Sequence, residues 1–166
     1  NIWLEDRNGV RTPMQWSDAP NAGFTDPDVA PEAIYLPVID DEDYGYQTVN
    51  VAAQRGDPDS LLRWTQTILG IRKAHPTFGR GDLVLLDPEN RAVLAYVREG
   101  EETLLVVNNL SGESQTVTLD LGDYAGGAVI DLIDDTTVPQ AAGAGWTLTL
   151  DRYAYRWFRL ESPKVS

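Results

Sequence analysis

Two arginines, Arg7 and Arg11, stand four residues apart in the stretch DRNGVRTPMQW, with Gly9 and Pro13 among them. A guanidinium is a rigid fork of N–H donors. It can clamp a carboxylate through two parallel bonds or donate to the hydroxyls of a sugar. On a helix the pair would share one face, but Gly9 and Pro13 disfavour a helix here. A stiff loop would hold the fork in place with little entropy left to lose. The plainer alternative is a loop-bracing ion pair with an acid such as Asp6, of the surface kind that contributes little stability. Local sequence leaves both open.

Other residues with chemical potential are weaker candidates. His75 is the single histidine. No serine is placed beside it for nucleophilic catalysis, and its position before Pro76 suits a structural role at a helix end. The run DDED, Asp40 to Asp43, has the charge for calcium but lacks the spaced ligands and glycine of a calcium loop, so it reads as a solvated run. Paired carboxylates for glycoside chemistry need a defined separation, and among 26 acids no pair stands out. Trp146, Tyr153, Tyr155 and Trp157 form either a sugar-stacking platform or core. Alternation in YAYRWFRL puts Tyr153, Tyr155 and Trp157 on one face, and Arg156, Phe158 and Leu160 on the other. Arg156 fits a buried face badly.

These residues sit on elements of two kinds. Residues 1–57 are rich in Pro, Asp, Gly and Asn, and turn-forming throughout. Their aromatics, Trp3, Trp16, Phe24, Tyr35, Tyr44 and Tyr46, argue for an ordered loop packed over something larger rather than a solvated tail. One helix follows, with Asp57 as its cap, Pro58 in its first turn, and DSLLRWTQTILGIRKAH as its body. Leu61, Trp64, Ile68 and Ile71 make one apolar stripe, widened by Leu62 and Leu69. Arg72 and Lys73 complement the negative end of the dipole, and Pro76 stops the helix. From about residue 82 the period becomes two. The segments LVLLD, AVLAYVRE, TLLVVNNL, QTVTLDL, AVIDLI, WTLTL and YAYRWFRL read as seven strands of an antiparallel β-sandwich. The domain boundaries predicted are 1–81, 82–161 and a tail at 162–166.

Composition removes several function classes. The chain has 166 residues, 42% of them hydrophobic, and a net charge of −13. Nucleic acid and anionic membranes are therefore poor partners. No cysteine is present, which excludes disulfides, thiolate catalysis and Cys-ligated zinc. No apolar run is long enough for a membrane helix, and NIWLEDRNGV has neither the basic start nor the apolar segment of a signal peptide. With no initiator methionine, the chain reads as a piece of something longer.

RTPMQW, Arg11 to Trp16, followed by NAGF, Asn21 to Phe24, resembles the α-amylase superfamily of glycoside hydrolases. The longer stretches NIWLEDRNGVRTPMQWS and YLPVIDDEDYGYQTVNVAAQ are similar to its trehalose synthase family. The resemblance implies a fold of mixed class. The loop after the eighth strand of a (β/α)8 barrel and its last helix, ILGIRKAHPTFGRG, are followed by the family's C-terminal β-sandwich. It implies maltose, trehalose and glucose as the sugars handled, and Arg11 as the arginine of the subsite holding the reacting glucose. Arg7 aligns less securely, as a second substrate contact or a brace. The family's catalytic aspartates and glutamate come from earlier strands, and no motif for them occurs here. No catalytic residue is therefore assigned, and the chain alone is expected to be inactive. Calcium, by resemblance, would belong to the missing part of the barrel, with no cofactor in this chain. A cytoplasmic enzyme is expected, and the length and tyrosines of residues 16–54 suggest a lid that keeps water out. Partnership with the rest of the barrel is implied, while a homo-oligomer and a maltose kinase partner stay open. An α-glucosidase and a non-catalytic sugar-binding β-module are the competing expectations.

Overall fold

The structure is a computed structural model that describes residues 6–138 and 145–161. Trp3, part of the Gly/Ala-rich loop and the 162–166 tail lie outside the described residues. The chain divides into two compact units, Asn1–Thr67 and Ile68–Ser166, the division falling inside a helix.

The first unit is built from turns. Short 3-10 segments span Asp6–Val10, Pro20–Gly23 and Pro31–Ala33. Within NAGF the backbone turns left-handed at three consecutive residues, with φ of 58° at Asn21, 58° at Ala22 and 63° at Gly23. Asn and Gly accept that region readily, whereas Ala does so at roughly 1–2 kcal/mol. The turn is held because both Trp16 and Ser17 donate their N–H to the Ala22 carbonyl, at 2.8 and 3.1 Å. The buried Asn21 side chain also donates to Val29 O at 2.7 Å and to Thr25 Oγ1 at 3.0 Å. A Cβ on Gly23 would collide with Ser17 Oγ, so this position requires glycine.

Helix α1 (Val51–Gly56) is capped by Asn50, whose Oδ1 accepts from Ala53 N–H at 2.8 Å. Helix α2 (Leu61–Ala74) starts later than its sequence suggests. Its cap is Ser60, not Asp57: Ser60 Oγ accepts from Arg63 N–H at 3.3 Å and donates to Gln54 O at 2.6 Å. Asp57 is engaged elsewhere, as the residue closing α1 and as acceptor for Asp59 N–H at 2.9 Å. Pro58 thus lies before the helix, not in its first turn. The α2 stripe is present, yet no residue of the helix is buried. Leu61 is 70% exposed, Trp64 44% and Leu69 60%.

In the second unit α3 (Thr77–Arg80) leads into eight strands: β1 (Asp82–Leu86), β2 (Val93–Glu99), β3 (Thr103–Asn109), β4 (Gln115–Asp120), β5 (Val129–Asp131), β6 (Thr136–Val138), β7 (Gly145–Leu150) and β8 (Tyr155–Leu160). They form two antiparallel sheets, one ordered β1-β2-β3-β8-β5-β6 and one pairing β4 with β7. The seven expected strands are all there, and β6 is an addition. It is a three-residue, largely exposed edge too short and polar to register as a period-two pattern. β5 is shorter than AVIDLI, because Asp131 Oδ1 accepts from Ile133 N–H at 2.8 Å and turns the chain.

The two sheets enclose the main core. Ala95, Val97, Leu105, Val107 and Phe158 meet Val117, Leu119, Leu150 and Trp146. Trp146 and Phe158 pack edge to face at 5.0 Å, an arrangement that adds about 0.5–1.5 kcal/mol beyond area burial. The other face of the large sheet has its own cluster, in which Phe78 of α3 covers Leu104 and Val106, with Ile71 and Trp157 against it. Phe78 and Trp157 lie 4.7 Å apart. Both faces of β8 therefore carry core. β3, buried on both sides, reads as the unbroken apolar run expected of such a strand.

Candidate functional site

The stretch that carries the arginines is an extended loop fastened from both ends. Arg7 lies in the Asp6–Val10 turn and is exposed; Arg11 follows the turn and is also exposed. Pro13, two residues on, is buried, which fits the stiff loop expected around Arg11. Before Arg11, Asn8 Nδ2 donates to the Tyr35 hydroxyl at 2.9 Å. After it, Gln15 Nε2 donates to two carbonyls, Tyr44 O at 3.0 Å and Val49 O at 2.5 Å. The backbone continues the attachment: Val51 N–H donates to Gln15 O and Ala52 N–H to Trp16 O, each at 3.0 Å. A groove of about 280 Å³ runs beside this junction, lined by Thr12, Pro13, Met14, Val49, Asn50 and Gln54, among others.

The loop facing this stretch is braced internally. The DDED run is only partly a solvated one. Asp41 Oδ1 accepts from Asp43 N–H at 3.1 Å and Tyr44 N–H at 2.6 Å, and Asp40 accepts from Gln47 Nε2 at 2.7 Å. Among the described residues no group of three or more acidic or histidine side chains is arranged to hold a metal ion. The aromatics do not order the loop by burial. Trp16, Phe24, Tyr35 and Tyr44 are all exposed, Tyr35 by 81%. Buried amides order it instead, chiefly Asn21 and Asn50. Sequence reading passed over Gln15. The available signal was a side chain with two donors between a proline and a tryptophan, in a segment with few regular backbone partners.

In the second unit, His75 Nδ1 lies 2.9 and 3.0 Å from the two Glu102 carboxylate oxygens, and its ring meets Phe78 edge-on at 6.4 Å. This is the structural role expected of it. Tyr124 donates its hydroxyl to Glu99 Oε1 at 2.5 Å. That bond to a carboxylate, with burial and the negative charges of Glu99 and Asp123, pushes the phenol from 10.0 up to about 12. The aromatic platform does not assemble on this unit. Trp146 is 5% exposed and sits in the main core. Tyr153 precedes β8 with φ of 53°, outside the strand alternation that grouped it with Tyr155 and Trp157. Arg156, the misfit in that pattern, is exposed and lies 3.8 Å from Asp131.

Comparison with known proteins divides the chain at a later point, between α3 and β1. Residues 4–81 match the catalytic domain of α-amylase, and residues 83–157 match the C-terminal domain of maltogenic amylase. The chain is 45% identical to a trehalose synthase of Pimelobacter sp., over all of its own length and 30% of that relative's. It is 42% identical to the trehalose synthase/amylase TreS of Mycobacterium tuberculosis, over 99% of its length and 28% of the relative's. The chain thus spans less than a third of the relatives it resembles. Among solved structures, a mutant of the trehalulose synthase MutB in complex with glucose superposes with a TM-score of 0.67 at 31% identity, covering 94% of this chain and 26% of the other.

Proposed function

The chain belongs to the α-amylase superfamily of glycoside hydrolases, and we propose that it is the closing part of an enzyme that interconverts maltose and trehalose. The observation that carries this reading is likeness along the whole chain, loop and β-domain alike, to relatives named trehalose synthase. In the proposed reaction, carboxylates outside this chain cleave maltose with retention, giving a covalent β-glucosyl-enzyme and free glucose. The glucose stays in the closed site and turns over. Its anomeric hydroxyl then attacks the glucosyl carbon, displacing the enzyme carboxylate and giving trehalose.

This chain's contribution is binding and exclusion of water. Arg11 directs its N–H fork at the hydroxyls of the glucose that reacts, and Arg7 contacts sugar less directly or braces the turn. The loop from Tyr35 to Asn50 limits the water that competes for the intermediate. Calcium, where the family uses it, would belong to the part of the barrel outside this chain. A cytoplasmic setting belongs to the same reading. Among the described residues no helix is long and apolar enough to cross a membrane.

A second reading is hydrolysis of small α-glucosides, and hydrolysis as such has a specific support: the mycobacterial relative's name joins synthase and amylase. The two differ in water access rather than in chemistry. Incubating the intact enzyme with maltose and separating the products decides between them. Trehalose as the main product, with glucose minor, is expected; glucose alone would make the enzyme a glucosidase. A sugar-binding β-module loses its main support with Trp146 in the core.

A further inference from the structure

We propose that Gln15 is a positioning residue that locks the Tyr35–Asn50 loop to the Arg11 segment, and so sets the ratio of glucosyl transfer to hydrolysis. The proposal rests on the function above and adds a residue to it. The loop is a body in its own right. Asp41 ties down two backbone amides, Gln47 reaches Asp40, and Gly45 lies so close to the Asp41 carbonyl that a Cβ would strike it. Such a body moves as a unit, and its freedom depends on how it is attached.

Among the described residues, side chains tie the arginine segment to the loop at two places at least. Asn8 holds Tyr35 at one end, and Gln15 holds Tyr44 O and Val49 O at the other. Arg11 lies between the two. The Gln15 carboxamide spends both its N–H donors on the loop, while the backbone carbonyl of the same residue receives Val51 N–H at 3.0 Å. A guanidinium and a water-excluding loop pinned to the same segment keep one geometry through the lifetime of the glucosyl intermediate. Releasing the Gln15 pin lets the loop open while Arg11 still holds sugar.

Gln15→Glu tests this with a side chain of the same size. It replaces the donor with oxygen that faces two carbonyls. In the intact enzyme, glucose released per trehalose formed should rise several-fold, with KM for maltose changed less than about twofold. Backbone amide exchange across residues 44–50 should accelerate on the order of tenfold, as expected when two hydrogen bonds stop holding a loop. Gln15→Met, apolar and similar in length, should act in the same direction without the added charge. An unchanged product ratio in folded variants, or an equal fall in both products, would overturn the proposal. The functional reading is judged separately, on the wild-type products. If the wild type forms no trehalose, that reading falls, and unaccelerated exchange at 44–50 in Gln15→Glu would still sink the pin.

Discussion

A fixed cation in an acidic chain is informative because so little around it is positive: 13 basic residues stand against 26 acidic ones. Arg11 is followed at short distance by the buried Pro13 and by Gln15, bonded to two carbonyls, so its segment carries little conformational freedom. In the closed sugar site proposed for it, a charged donor held this way would be worth more than a surface ion pair. Arg11→Ala in the intact enzyme is expected to lower kcat/KM on maltose by about 2–4 kcal/mol, roughly 30- to 1000-fold. Arg11→Lys should recover little, since an ammonium lacks the planar fork. Turnover near that of the wild type in the alanine variant would take Arg11 out of the pocket. Tyr124 offers a test of a different kind. Its phenol is raised from 10.0 to about 12 in the fold, so the protonated form is the one stabilised. The contribution is complete below the unfolded value of 10.0 and is lost as pH climbs towards 12. Urea melts on either side of that window should show the wild type losing more stability than Tyr124→Phe. Parallel losses would mean that the Glu99 bond is not what holds the proton.

At the level of elements, the start of α2 separates what a pattern predicts from what neighbours decide. Asp57-Pro58 is a good cap sequence, but Asp57 already closes α1, and the first free acceptor in place is Ser60. Ser60→Ala should therefore cost about 1–2 kcal/mol, since it removes both the cap and the bond to Gln54. Asp57→Ala should cost less than about 0.5 kcal/mol. Equal losses on thermal unfolding would restore Asp57 as the cap. The strands were easier to read, for a physical reason. Burial on one face writes an alternation, as in QTVTLDL, and burial on two writes a continuous run, as in TLLVVNN. Where structure depends on polar side chains reaching distant backbone, no period exists to be read. Gln15, bonded to Val49 O, and Asn21, bonded to Val29 O, are of this kind. RTPMQW and NAGF pointed to the family as motifs, and only the fold explains their members. Ala22 is fully buried with its carbonyl shared by two amides, and Gly23 has no room for a Cβ.

Across the whole molecule, apolar side chains fall into two populations. One is buried between the sheets and under Phe78. The other is exposed, and part of it stands in patterned positions. On α2 it includes Leu61, Trp64 and Leu69; on the large sheet it includes Leu83 and Leu85, alternate residues of β1. Regular spacing sets these apart from the scattered exposed apolar residues of any protein, and marks them as contact surface. The proposed function supplies what they would meet: the rest of the enzyme, since the chain spans less than a third of its relatives' length. Two consequences separate that view from a chain that is whole in itself. Produced alone, the chain should self-associate and bind a hydrophobic dye. Leu61→Glu combined with Leu69→Glu should reduce both effects and leave the unfolding midpoint of the β-strands within about 2 °C, because neither residue is buried here. In the intact enzyme the same pair should be strongly destabilising, by several kcal/mol, if those leucines are core there. A pair of substitutions that is harmless in both settings would leave the α2 stripe as solvent surface and remove the case for a helix made to cover a barrel.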